Sequence, residues 1–167
     1  MTAKLEKAQV TLVGDREVRV VRRFKAPREL VYRAHTEPEL VKRWMLGPSG
    51  WTMPVCEMDV RVGGSYRWRW RSEEDGKEFG FFGAFREVDP PHKIVHEETF
   101  DPGELGATTY PGEPAIITTE FKEDAGITTL TVSMLFPSKE ARDGAVATGM
   151  TDGMEQCYQN LDRVLGE

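Results

Sequence analysis

Cysteine is scarce in this 167-residue chain: Cys56 and Cys157 stand far apart, and neither belongs to a C-x-x-C pair. Two such residues cannot make a zinc site by themselves. They read as small buried hydrophobes in a reducing, cytoplasmic setting. Long apolar runs are missing too, and no stretch approaches the roughly 20 residues that span a bilayer. Met1 to Lys7 is polar and charged and lacks the apolar segment of a secretion signal. Basic residues are outnumbered, 22 against 28 acidic, for a net charge of -6. That balance argues against a nucleic-acid partner, which needs a concentrated basic surface. No Gly-x-Ser-x-Gly, phosphate-binding loop or dinucleotide fingerprint occurs, so those enzyme classes have no support.

Histidine is also rare, with three in all. His92 and His96 are four apart, and a strand rising about 3.3 Å per residue would separate them by roughly 13 Å. They cannot share a metal ion if both lie in that strand. His35 falls near a helix end and reads as a surface or helix C-terminal residue interacting with the helix dipole. No metal site and no cofactor are expected.

What is present is periodic. Val18, Val20, Arg22 and Phe24 alternate as a strand does. Pro27 suits the first turn of a helix whose apolar side is Leu30, Val31 and Ala34. Thr36-Glu37-Pro38-Glu39 has capping-box spacing and predicts a second short helix through Leu40, Val41 and Trp44, ended by Gly47-Pro48. Strands follow over 55–62, 65–71, 79–88, 93–100, 115–122 and 127–136, joined by turns such as Gly63-Gly64, Asp75-Gly76 and Asp124-Ala125-Gly126. Sequential hairpins make the sheet antiparallel. From Ser138 to about Leu165 the spacing is helical, with Val146, Met150, Met154, Cys157, Leu161 and Val164 on one stripe. The stretch 101–114 is long enough, and rich enough in proline and glycine, to serve as a pocket lid or as a plain connection.

This order of elements and its motifs resemble the START-like (SRPBCC) superfamily. The branch is the one named for the C-terminal domain of the activator of the heat-shock-chaperone ATPase. The carrying segments are Phe24-Lys-Ala-Pro-Arg-Glu-Leu-Val31, Thr36-Glu-Pro-Glu-Leu-Val-Lys-Arg-Trp44, Val62-Gly-Gly-Ser-Tyr66, Arg86-Glu-Val-Asp-Pro-Pro91, Glu140-Ala-Arg-Asp143 and Thr148-Gly-Met-Thr-Asp-Gly-Met154. The resemblance implies an α+β helix-grip fold, a curved antiparallel sheet wrapped around a long C-terminal helix, with two short helices after the first strand. Residues 18–167 would form one such domain, behind an N-terminal extension of residues 1–17. Many relatives carry tryptophan where this chain has Met45 and Met154, so its pocket would be partly thioether-lined.

The resemblance further implies an apolar cavity between sheet and helix. Tyr66, Trp68 and Trp70 share one face of their strand and would wall it. Trp44, Phe81, Phe85, Met134, Met150, Met154 and Tyr158 would extend the wall. The alternative is that these side chains simply pack as core. Arg67, Arg69 and Arg71 take the opposite face, paired with acidic neighbours. His96 and Glu98 share a strand face and are the candidate acid/base pair, with an exposed pair on a strand edge as the competing reading. Asp152 and Glu155 read as solvent-facing. Three functions follow: a cytoplasmic protein binding a small apolar or amphipathic ligand, a cyclase/dehydratase-type enzyme using the same cavity, or a module touching a chaperone ATPase in the stress response. The chaperone activator pairs this domain with a second one that the chain does not carry, which lowers the last. A homodimer is open; membrane insertion is not expected.

Overall fold

Alternating apolar residues from eight strands meet on one face of a single sheet. The computed structural model describes residues 6–46, 49–101 and 113–166. Its strands are β1 (Gln9–Val13), β2 (Glu17–Phe24), β3 (Trp51–Met58), β4 (Ser65–Ser72), β5 (Glu78–Asp89), β6 (Lys93–Asp101), β7 (Ala115–Asp124) and β8 (Ile127–Leu135). Helices α1 (Arg28–Thr36) and α2 (Pro38–Trp44) follow β2, and α3 (Lys139–Ala147) and α4 (Met150–Leu165) close the described chain. The spatial order is β1-β2-β8-β7-β6-β5-β4-β3, with every neighbouring pair antiparallel. Consecutive hairpins build β3 to β8, and the β1–β2 hairpin joins through β8.

Register puts the apolar sets on the inner, concave face. Met134 stands opposite both Val18 and Ile117, and Val132 opposite Val20. All five are buried, as are Phe24, Leu130 and Phe121 beside them. Each large side chain so covered contributes about 1.5–3 kcal/mol. Helices α1, α2 and α4 close one end of this face. Phe24 meets Tyr158 edge-on at 5.6 Å, and Tyr32 meets Phe121 at 5.2 Å. Trp44 stacks on Tyr158 at 6.1 Å. The Trp44 indole donates to the Ala34 carbonyl at 2.8 Å, and Asn160 on α4 donates to the Trp44 carbonyl at 3.2 Å, tying α2 to α4.

This is the helix-grip fold expected from the sequence, with four corrections. The C-terminal helix is two helices. Thr148 turns its hydroxyl onto the Ala145 carbonyl, and Gly149 takes a left-handed φ of 81°, so the first helix stops and a second starts. Ser138 does cap the start of α3, accepting from the Ala141 N–H at 3.0 Å. The capping box at Thr36 is not formed: that hydroxyl donates back to the Tyr32 carbonyl, Glu37 is the cap residue, and Pro38 occupies the first turn. The strand expected over 55–62 is displaced toward the N-terminus, to Trp51–Met58. Asp59 leaves the ladder for a tight loop in which Arg61 and Gly64 donate back to Asp59 and Arg61, and Gly63 has a φ of 82°. Finally, the sheet begins before residue 18, because Gln9–Val13 pairs with β2.

The expected helix end at Gly47-Pro48 lies outside the described residues, as does most of the 101–114 stretch. Among the described residues, no helix is long and apolar enough to cross a membrane.

Candidate functional site

Strand β4 alternates Tyr66, Trp68 and Trp70 with Arg67, Arg69 and Arg71, and the pleat separates the two sets as expected. The rings are buried on the concave face. Outside, Arg69 pairs with Glu78 on the adjoining β5 at 2.9 Å and with Asp101 on β6, one strand further, at 2.7 Å. Trp68 stands opposite Phe81 and Trp70 opposite Phe79. Phe81 in turn stands opposite Phe100, and Phe85 opposite His96. The result is a continuous aromatic layer across β4, β5 and β6. Tyr66 lies 4.4 Å from Trp68 and 5.5 Å from Phe85; Trp70 stacks on Phe79 at 5.4 Å; Phe81 meets Phe100 at 5.4 Å.

Tyr66 stands opposite Gly83, where a Cβ would come within 1.8 Å of the Glu97 carbonyl oxygen. The bare backbone there admits the tyrosine ring, whose hydroxyl donates to that same carbonyl at 2.7 Å. Burial first, then Glu98 and Glu97, push the phenol pKa upward. Trp70 is anchored too, donating to the Met45 carbonyl at 2.7 Å just beyond α2.

Two polar atoms in the layer have no partner: Trp68 Nε1 and His96 Nε2. Their residues are only 9% and 8% exposed, and their rings lie 6.1 Å apart, edge to face. Glu98 is half-buried on the same strand face, with Oε1 3.7 Å from His96 Nε2, beyond hydrogen-bond reach. The exposed-edge reading of this pair is therefore overturned. β6 lies between β5 and β7, and its even-numbered positions point into the concave side.

The candidate residues divide into groups. Tyr66, Trp68, Trp70, Phe81, Phe85, His96 and Glu98 are brought together on β4–β6. Trp44 and Tyr158 belong to the packed end beneath the helices. Met134 is buried on β8, and Met150 and Met154 on α4 are half-buried against the core. Phe79 and Phe100 complete the aromatic layer and were missed by sequence reasoning. Their signal was parity, since they share it with Phe81 and with His96. One open cleft of about 450 Å³ lies beside Glu57, Asp59, Tyr66 and Arg67, and another of about 330 Å³ beside Trp51, Gln156 and Gln159.

Two further expectations fail for physical reasons. His35 does lie in the last turn of α1, but it is half-buried rather than a surface residue. Its Nδ1 is 2.8 Å from the Val31 carbonyl, and its ring is wedged 4.8 Å from Trp44 and 5.2 Å from Phe121. Burial there lowers its pKa to about 4 despite the opposing carbonyl. Glu155 is not solvent-facing either. It accepts from the Ala8 N–H at 2.8 Å and from Arg22, an arginine 4% exposed on the apolar face of β2. Cys56 is buried, its thiol pushed up to about 11 by burial, while Cys157 is half-buried. Among the described residues no group of three or more potential ligands could hold a metal ion. His92 is exposed in the turn before β6.

A sheet gripping a C-terminal helix, with an aromatic layer on the concave side, defines a START-like protein. The chain belongs to the family described as activator of Hsp90 ATPase homolog 1-like protein, which matches residues 25–166. Among solved structures it is similar to a protein of Rhodobacter sphaeroides, at 27% identity and a TM-score of 0.85 over 96% of this chain and 99% of that one. A Chromobacterium violaceum protein shares 25% identity at a TM-score of 0.74, over 91% of this chain and 98% of that one. A Mycobacterium smegmatis protein, at 20% identity and a TM-score of 0.82 over 97% of each chain, shares the fold. No curated protein sequence matches the chain.

Proposed function

We propose that the chain binds a small apolar or amphipathic molecule against the concave face, between β4–β6 and α4. The observation that carries this reading is the pair of atoms without a hydrogen-bond partner, Trp68 Nε1 and His96 Nε2, inside a largely aromatic layer. A buried donor left unsatisfied costs about 1–3 kcal/mol, which a ligand bearing an acceptor at one end would recover. Trp68, Trp70, Phe81, Met150 and Met154 would supply the wall. The thioethers would adapt to ligand shape. Trp68, with His96 or Glu98, would orient the polar end.

Thermal-shift and tryptophan-fluorescence titrations with fatty acids and with aromatic carboxylates test this. A binder must raise the melting temperature, because it favours the folded state alone. It should also perturb indole emission and bind at least about tenfold more weakly to Trp68→Phe, the loss of one hydrogen bond. No shift with either ligand class, in protein stripped of bound molecules, sinks the reading.

A second reading has its own support: an imidazole and a carboxylate 3.7 Å apart on an aromatic face suit general acid–base work on a bound ligand. In that case His96→Ala would keep binding and lose turnover. The family's description also supports contact with a chaperone ATPase, tested by whether the purified chain stimulates that ATPase.

A further inference from the structure

Trp68, His96 and Glu98 lie together on the concave face and ask for different partners. An indole N–H can only donate, a carboxylate can only accept, and an imidazole nitrogen does either according to its tautomer. Trp68 Nε1 and His96 Nε2 are buried with nothing to bond, and Glu98 Oε1 stands 3.7 Å from His96 Nε2. A ligand group that satisfies all three must accept and donate at once. A hydroxyl does so: it accepts from Trp68, donates to Glu98 or His96, and suits either tautomer. A ketone or a carboxylate accepts but brings no proton.

Charge points the same way. Among the described residues no lysine or arginine pairs with Glu98, which has only His96 beside it. Arg86 is spent on Glu97, on the outer side of the sheet. The Glu98 charge also reaches Tyr66, whose phenol is pushed upward by burial first and then by Glu98. A second carboxylate placed at Trp68 would face that charge at short range, in a setting that screens it poorly. A neutral hydroxyl meets no such repulsion. The surrounding wall favours a flat ring behind that hydroxyl. His96 is boxed by Tyr66 at 5.1 Å, Phe85 at 6.0 Å and Trp68 at 6.1 Å. An aromatic ligand continues these edge and face contacts, which add to what buried area alone supplies.

Resting on the binding role proposed above, we infer that the ligand is a neutral aromatic alcohol, its phenolic hydroxyl held by Trp68, His96 and Glu98. Glu98 is then the residue that sets specificity. It accepts the hydroxyl proton and turns away an anion of the same shape.

Calorimetric titration of the full chain, stripped of bound molecules, with naphthol, naphthoate and octanol at neutral pH tests this. Naphthol and naphthoate share a ring system and differ in the polar end. Naphthol should bind at least about tenfold more tightly than naphthoate, and at least about threefold more tightly than octanol. Glu98→Gln keeps the side chain's shape and removes its charge. In that variant, checked for folding by circular dichroism, naphthoate should gain until the two lie within about threefold. The wild-type ratios stand without the variant. Naphthoate or octanol binding as tightly as naphthol overturns the ligand class, and so does a ratio that folded Glu98→Gln leaves unchanged. Failure of all three compounds to bind is a different result: it removes the binding site itself, and the ligand class with it.

Discussion

Arg22 on β2 and Glu155 on α4, 133 positions apart, share two hydrogen bonds: Nε to Oε1 at 3.1 Å and Nη2 to Oε2 at 3.2 Å. The rest of the guanidinium bonds Asp162 twice, at 3.2 and 2.8 Å, and the Arg23 carbonyl at 3.0 Å. Its plane lies 5.0 Å from the centroid of the Phe24 ring. Thus every donor of a charge that is only 3% exposed is used, and α4 is clamped to the strand that carries the core.

Removing one member of this clamp should cost more than removing both. Arg22→Ala leaves Glu155 partly buried and uncompensated, a loss of about 3 kcal/mol in urea unfolding. The double replacement Arg22→Met with Glu155→Met removes both charges and should cost less than Arg22→Ala alone. Strict additivity of the single changes would contradict the coupling.

Acid should lower the stability of the protein over two pH windows. His35 has a folded pKa of about 4 against 6.5 ordinarily, so the unfolded chain takes up a proton first. Stability then falls as pH drops from 6.5 toward 4, by at most about 3 kcal/mol. For Glu155, burial would raise the pKa, but Arg22, the Ala8 N–H and Gln159 outweigh it and hold the carboxyl below its ordinary 4.5. Its stabilisation is present above that value and is lost as pH falls through the depressed one. Unfolding free energy against pH should lose its upper slope in His35→Gln and part of its lower slope in Glu155→Gln.

Two neighbouring tryptophans should respond differently to the same substitution. Trp70 Nε1 bonds the Met45 carbonyl, whereas Trp68 Nε1 bonds nothing. Both changes to phenylalanine lose similar apolar area. Trp70→Phe should therefore be the more destabilising by about 1–2 kcal/mol, read from denaturant midpoints.

Glycines of the C-terminal helices should split in sign. Gly149, at a φ of 81°, forms the break before α4, and alanine there should cost about 1 kcal/mol. Gly153 lies inside α4 with open space around its Cα, and alanine there should stabilise by about 0.5–1 kcal/mol. Thermal melts of the two variants should move in opposite directions.

Much of the fold was legible because strand faces follow from parity alone. Once Tyr66, Trp68 and Trp70 share a face, the opposite facing of Arg67, Arg69 and Arg71 is forced. The same parity contained Arg22, Phe79 and Phe100. Arg22 in particular sits in the apolar phase of Val18, Val20 and Phe24, where a charge must find partners. Those partners, Glu155 and Asp162, come from a helix whose rotation the strand pattern does not specify. The break at Gly149 was obscured because glycine, threonine and methionine keep the apolar stripe of one helix while the backbone changes hand.

By itself the sequence determined which side chains share a face, because residue spacing meets a fixed pleat of two and a helical turn of 3.6 residues. It also determined the family, through motifs in order. Only the tertiary structure decided which distant faces meet. It set the Trp68 and His96 rings edge to face, wedged His35 between Trp44 and Phe121, and left Val10 and Leu12 exposed opposite the buried Val20 and Val18. Such meetings depend on strand order and on how α4 lies across the sheet. Those are properties of the packed chain as a whole, carried by no local run of residues.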